Sequence, residues 1–384
     1  MIPYGRQEIT SSDINEVKKV LTSNFITQGN TVPKFEKLVA KKVKAKFAIA
    51  VNSATSALHL SCMALGVTKN DIVWTSAISF VASANCAIYC GAKIDFVDIS
   101  LKNFNICPKK LEEKLKIAKK KSILPSVLVA VHMCGQPCDM KRIYNLSKKY
   151  NFKIIEDASH AIGSKYKNTL TGSCKYSSIT VFSFHPVKII TTGEGGIATT
   201  NSKRLMEKMQ ILRTHGITKN QKSISSKKGG WYYEQIDLGY NYRMTDISAS
   251  LGISQLRRLD SYIKRRNDLA KRYDLKLREL PLILPEVSDK IKSSFHLYVV
   301  LLDTNQLKIN RLKLFNKLRS VDIGVQIHYI PIYKHPFYKK LLKKDFKLDN
   351  SEDYYERCIS IPIYPSMKMW QQDKVINALR KFLV

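Results

Sequence analysis

The chain has 384 residues, 44% hydrophobic and 9% aromatic, with 64 Lys and Arg against 31 Asp and Glu, a formal charge of +33. That composition excludes a disordered or collagen-like chain, and no apolar run reaches the roughly 18 residues of a membrane-spanning helix. The opening MIPYGRQEIT lacks the apolar stretch of a secretion signal, so a cytoplasmic protein that does not engage the membrane is expected.

Asp13–Leu21 reads as the first helix, with Asp13 placed to cap it and Glu16 three residues on. Phe47–Val51 is an apolar run of the buried-strand type, broken at Asn52-Ser53-Ala54-Thr55. Ser56–Leu65 then shows helical periodicity and stops at Gly66. The alternation continues. Strands are predicted at Asp71–Ser76, Lys93–Val97, Ser126–Val131, Lys153–Ile155, Ser178–Ser183 and Gly196–Thr200. Helices are predicted at Val81–Cys90, Leu111–Lys120, Lys141–Tyr150 and Thr245–Leu256. Short strands alternating with helices predict an α/β fold, a mostly parallel central sheet sandwiched by helices. The polar, lysine-rich stretch Lys219–Gly230 predicts a long functional or mobile loop within residues 217–240. Beyond about residue 260 a long charged helix gives way to further strands and helices. A large domain over 1–260, its first 25 residues near the active site, and a small C-terminal α+β domain over 261–384 are expected.

The charge admits a nucleic-acid partner, an anionic substrate or a lysine-rich surface without a partner. The longest unbroken basic runs, Lys119-Lys120-Lys121 and Lys264-Arg265-Arg266, hold only three residues each. Lys109–Lys121 mixes Lys with Leu, Ile and Ala at helical spacing, the pattern of a solvated helix face. No nucleic-acid partner is expected. The eight cysteines include no C-x-x-C pair, and Cys134 and Cys138 have no ligand tetrad in sequence, so no metal is expected and reduced thiols are.

Three blocks carry candidate chemistry. Asn52-Ser53-Ala54-Thr55-Ser56 sets small hydroxyl residues between a strand and a helix start, where free N–H groups suit a phosphate or simply cap the helix. Ile154–Ala161 ends an apolar strand in Glu156 and Asp157 with His160 three residues on. Ligands of open α/β sheets bind at such strand ends, though both carboxylates could equally cap the next turn. Val181–Gly196 places Lys188 in an apolar turn between strands. Burial there lowers a lysine's pKa and frees its amine for a Schiff base, while Gly193, Gly195 and Gly196 would let backbone approach a flat ligand. A phosphate cradle, a carboxylate, an imidazole and such a lysine together are what pyridoxal 5′-phosphate (PLP) requires.

The blocks NSATSALHL, EDASHA, FSFHPVKIITTGEGG and GYNYRMTDISASLG resemble the DegT/DnrJ/EryC1/StrS nucleotide-sugar aminotransferases, of PLP fold type I. IPYGRQEI, NFITQG and IGVQIHYIPIY look closest to the family's pseudaminic-acid branch. The resemblance implies that Lys188 bonds to the cofactor aldehyde, Asp157 binds its pyridine nitrogen, His160 sits near its 3′ oxygen and Phe80 stacks on the ring. Ala54, Thr55 and Ser56 with Ser183 would hold the phosphate. Asn241 would reach the phosphate of a neighbouring subunit, which implies a homodimer with shared active sites. Tyr4, Asn24, Phe25, Ile26, Thr27, His185, His328, Tyr329, Ile330 and Pro331 resemble substrate-contacting stretches. The implied substrates are a UDP-linked 4-keto-6-deoxy-N-acetylhexosamine and L-glutamate, which leaves as 2-oxoglutarate. Another UDP- or dTDP-4-keto sugar stays open, as do a PLP-dependent dehydratase and a regulator without turnover.

Overall fold

Seven five-residue strands form one sheet. They are β1 (Phe47–Val51), β2 (Ile72–Ser76), β3 (Lys93–Val97), β4 (Val127–Val131), β5 (Lys153–Asp157), β6 (Ile179–Ser183) and β7 (Gly196–Thr200). The order across the sheet is β1-β7-β6-β5-β4-β2-β3. β6, β5, β4, β2 and β3 run parallel, and β7 is antiparallel to both β6 and β1. The computed structural model describes residues 1–219, 224, 229–307, 309–343 and 346–384.

Helices cover both faces because the strands are apolar on both. Alternate residues point to opposite sides. Ile49, Val73, Val129 and Ile155 join a core with α3 (Ala54–Ala64), α4 (Ala82–Tyr89) and α7 (Lys203–Arg213). Trp74, Leu128, Ala130 and Ile154 join the opposite core with α5 (Pro108–Lys120) and α6 (Met140–Tyr150). Ala48, Ala50 and Ile197 pack against α2 (Thr31–Val43) and α8 (Asp246–Leu256). By the same alternation Asp157 lies on the α3/α4 side, and Glu156 on the α5/α6 side.

The expected elements of residues 47–200 are present, with ends shifted by no more than three residues. Three differences have clear causes. Helix α1 (Ser11–Leu21) is capped by Thr10 and not by Asp13. Asp13 sits inside the first turn, where its Oδ2 accepts from Thr10 N at 2.8 Å and pairs with Arg258 Nη2 at 2.6 Å. β5 runs two residues further than predicted, because the Glu156 and Asp157 backbones stay in the ladder with β4 and β6. Helices α2 and α7 lie where the sequence reading places none. Pro33 obscures α2, yet it sits in the first turn, where a missing N–H costs nothing. Residues 217–240 are bounded by a ribbon in which Ile217–Thr218 pairs with Glu234–Gln235. Most of the predicted Lys219–Gly230 loop, at 220–223 and 225–228, lies outside the described residues. No helix among the described residues is long and apolar enough to cross a membrane.

Helix α9 (Leu259–Leu277) serves two cores. Leu259, Tyr262 and Ile263 pack into the large assembly. Leu269, Ala270, Tyr273 and Leu277 pack beside an antiparallel sheet of Leu282–Ile283, Tyr298–Leu302 and Cys358–Ile361. Between them Arg266 is fully buried. Its Nη1 donates to the carbonyls of Phe295, His296 and Ile363 at 3.1, 3.2 and 2.9 Å. Arg266→Met strands these three carbonyls, so a loss of about 3 kcal/mol is expected in urea unfolding. A loss under about 0.5 kcal/mol would mean the carbonyls find other partners.

Candidate active site

A cavity of ≈ 670 Å³ opens where the carboxyl ends of β5 and β6 meet the start of α3 and the loop before α4. Its walls include Ala54, Thr55, Ser56, Phe80, Asp157, His160, Ser183, His185 and Lys188. Tyr4 enters from the N-terminal segment, and His328 and Tyr329 from the C-terminal part. The volume falls within the ~300–1,000 Å³ of small-molecule sites.

The cradle forms because Ser53 keeps extended, β-type backbone and caps α3, its Oγ accepting from Ser56 N at 3.1 Å. Ser56 Oγ donates to Asn52 Oδ1 at 2.7 Å, so the hydroxyl 2.9 Å away on Ser53 donates to Ser56. The Ala54 and Thr55 N–H groups, in the first turn, have no acceptor in the helix ladder, and both residues line the cavity at the positive end of the helix dipole. Gly196 serves a different purpose from the one expected. A Cβ on Gly196 would lie 2.4 Å from Ala54 N and 2.5 Å from the Ser53 carbonyl carbon. Its missing side chain lets β7 pass under the start of α3, so that approach is made by the chain to itself and not to a ligand.

Asp157 is buried at the tip of β5. Oδ1 accepts from Ser159 N at 3.1 Å and Ser159 Oγ at 2.6 Å, and Oδ2 accepts from Ser83 Oγ at 2.6 Å. Glu156 points away from the cavity. It accepts from His132 Nε2, Ser177 Oγ and Thr180 Oγ1 at 2.7, 2.5 and 3.1 Å. Cys138 N–H donates to His132 Nδ1 at 3.2 Å, so His132 carries its proton on Nε2. Burial alone would raise the Glu156 carboxyl, but these donors outweigh it and hold it below the usual range. The adjacent carboxylates thus have separate partners: Asp157 caps the next turn through Oδ1 while Oδ2 takes Ser83, and Glu156 is held on the other side of the sheet.

Burial lowers the pKa of Lys188 from its ordinary value to about 8, against the opposing pull of Asp157. Burial and the Lys188 charge push His328 down to about 3, and with His328 they also keep His160 well below its usual value. Both imidazoles are neutral near pH 7. His328 Nδ1 lies 2.7 Å from Ser360 Oγ, and His160 Nε2 lies 3.3 Å from the Tyr329 hydroxyl. Among the described residues His160 Nδ1 is buried with no hydrogen-bond partner. The His296 ring, which sequence reasoning missed, packs against His160 at 4.4 Å between centroids.

The structure does not bring every expected residue to this cavity. Asn24, Phe25, Ile26 and Thr27 are exposed and tied to the start of α8, where Asp246 N donates to Ile26 O at 3.0 Å. Asn241 is exposed, and its carbonyl accepts from Asn52 Nδ2 at 3.3 Å. Ile330 points outward and Pro331 is buried beside the cavity wall. Ser79, Ser159 and Glu194 line the cavity, and Ser83 supports Asp157 from behind. Ser159 had a legible signal, a hydroxyl two residues after the carboxylate. Ser83 lies 74 residues from Asp157 and had none. Among the described residues no group of three or more His, Cys, Asp or Glu could hold a metal ion, and all eight cysteines are free.

The pattern of the DegT/DnrJ/EryC1/StrS aminotransferase family matches residues 7–380. The chain belongs to that family. This aminotransferase is 40% identical to the UDP-4-amino-4,6-dideoxy-N-acetyl-beta-L-altrosamine transaminase of Campylobacter jejuni, over 99% of this chain and 98% of that protein. Its fold is similar to that of Helicobacter pylori PseC, an aminotransferase involved in the biosynthesis of pseudoaminic acid. The TM-score is 0.90 at 30% identity, over 100% of this chain and 99% of that one. The PLP-form of Streptococcus pneumoniae Spr1654 superposes with a TM-score of 0.87 at 29% identity, over 100% of both chains.

Proposed function

We propose that this aminotransferase binds PLP and moves the amino group of L-glutamate to C4 of a UDP-linked 4-keto-6-deoxy-N-acetylhexosamine. The product is UDP-4-amino-4,6-dideoxy-N-acetyl-β-L-altrosamine, an amino sugar of pseudaminic acid biosynthesis, and 2-oxoglutarate is the by-product. The observation that carries the reading is the pairing, in one cavity, of a lysine amine lowered to about 8 with a buried carboxylate that has room for one more donor.

The residues present fit the cofactor. The Ala54 and Thr55 N–H groups, with the Thr55 and Ser183 hydroxyls, would take its phosphate. Phe80, 58% exposed at the cavity edge, offers a free ring face for stacking. The orphaned Nδ1 of His160 and its Nε2 edge lie on the same wall. When bound, PLP supplies a carrier for the amino group and a sink for the electrons released at carbon. Asp157 would keep the proton on the ring nitrogen of the bound cofactor. Lys188 Nζ would take the proton from the glutamate α-carbon and hold it for return, and would run that transfer in reverse on the sugar. Tyr4, His185, His328 and Tyr329 surround the space left for the sugar. Basic surface charge favours the encounter with its diphosphate.

The reading includes a homodimer with shared sites. Asn241 and the exposed Phe25 and Ile26 lie outside their own chain's cavity, available to a neighbour's. It also includes cytoplasmic location, and division of the chain into 1–260 and 261–384, supported by a core made, apart from Ile2, of residues from 269 onward. The test is incubation with glutamate and either UDP- or dTDP-4-keto sugars, with NMR of the product. A 4-amino sugar of the L-altro configuration on UDP is expected. Amination of only dTDP sugars, or of none, would overturn the substrate.

A further inference from the structure

We propose that Ser83 is a positioning residue that holds the ring-nitrogen carboxylate and the ring-stacking loop in one fixed relation; this rests on the PLP reading above. Ser83 is fully buried in the first turn of α4. Its Oγ is 2.6 Å from Asp157 Oδ2 and 2.7 Å from Ser79 Oγ. A hydroxyl has one proton, and an ionised carboxylate can only accept. The Ser83 proton therefore goes to Asp157, and Ser79 must donate to Ser83. The backbone of the same residue faces the other way, since Ser83 N–H donates to the Phe80 carbonyl at 3.2 Å. One residue thus ties down Phe80 through its main chain and Asp157 through its side chain.

Two consequences follow for the site. Asp157 Oδ1 already takes two donors from Ser159, whereas Oδ2 takes one, from Ser83. Oδ2 is the oxygen with an acceptor direction left for the ring N–H, and Ser83 sets its angle. Ser79, which lines the cavity next to Phe80, has its only proton committed inward, so toward a ligand it can act only as an acceptor.

The test titrates cofactor-free protein with PLP and follows the visible band, for wild type, Ser83→Ala, Ser83→Thr and Ser79→Ala, with the Tm of each apoprotein. A hydrogen bond to a charged group lost at Ser83→Ala is expected to raise the PLP Kd about 10-fold and shift the band, with apoprotein Tm close to wild type. Ser83→Thr keeps the hydroxyl and is expected to recover most of the affinity. Ser79→Ala is expected to shift Kd in the same direction by less. A folded Ser83→Ala with wild-type Kd and band overturns the proposal while leaving the PLP reading intact. So does a Kd that rises only in step with a fall in Tm and is not recovered by Ser83→Thr. If Ser83→Ala does not fold, Ser79→Ala decides, and an unchanged Kd there overturns the relay. Wild-type protein that takes up no PLP overturns the functional reading itself.

Discussion

Lys188→Ala is expected to lower turnover by roughly 10⁴-fold, the upper range for loss of a positioned proton-transfer group, while far-UV circular dichroism stays that of the wild type. In wild-type protein, borohydride should fix the cofactor to the peptide containing Lys188. An adduct mapped elsewhere would remove Lys188 from its role. The pH dependence follows from the same burial. The Lys188 amine is lowered from its ordinary 10.5 to about 8 because the charged form loses water that the cavity does not replace. Only the neutral amine adds to an aldehyde, and its fraction rises with pH until the group is deprotonated. The rate of PLP capture by cofactor-free protein should thus climb about tenfold per pH unit below 8 and level off above it. A rate still climbing through pH 10 would mean that Lys188 is not buried in solution.

Asp157→Ala is expected to lower turnover roughly 100- to 1,000-fold, the scale for removing one preorganised electrostatic partner of a reacting group. It should also weaken PLP binding, since the ring nitrogen loses its anion. The fold should persist, because Ser83 and Ser159 give up one shared acceptor while the β4–β5–β6 ladder is made by backbone. Stopped-flow rates with saturating glutamate would check it, and a rate within threefold of wild type would remove Asp157 from the ring nitrogen. Glu156→Gln makes an informative comparison, because that carboxylate faces the other side of the sheet and pairs with His132.

The motifs were legible in the sequence where chemistry and chain order coincide. Asp157 could be placed because it ends an apolar strand, and strand ends are where α/β sheets bind ligands. Lys188 was visible because a lysine in an apolar, glycine-flanked turn is unusual. The cradle at 54–56 follows from small hydroxyl residues between a strand and a helix. Gly196 was misread in purpose, since a glycine that admits a ligand and one that admits another strand look the same in a sequence. Asp13 was misread by position, since a capping box has two polar residues three apart, and only backbone angles tell which is the cap.

The sequence by itself determined the alternation of strand and helix, the cofactor-type residue set and their order along the chain, because local periodicity and residue chemistry need no third dimension. Tertiary structure alone decided the rest. It separated Glu156 from Asp157 onto opposite faces, brought Ser83 to a carboxylate 74 residues away, set the His296 ring against His160 at a tilt of 45° and took enough water from Lys188 to lower its amine to about 8. Each depends on which surfaces are packed together and kept from water, and that is set by strand order and helix placement. The charge of +33, the most conspicuous feature of the composition, bears on the site chiefly as an outer field; the one lysine placed in the chemistry is marked out by its position in the cavity wall with Asp157 and by an amine lowered to about 8.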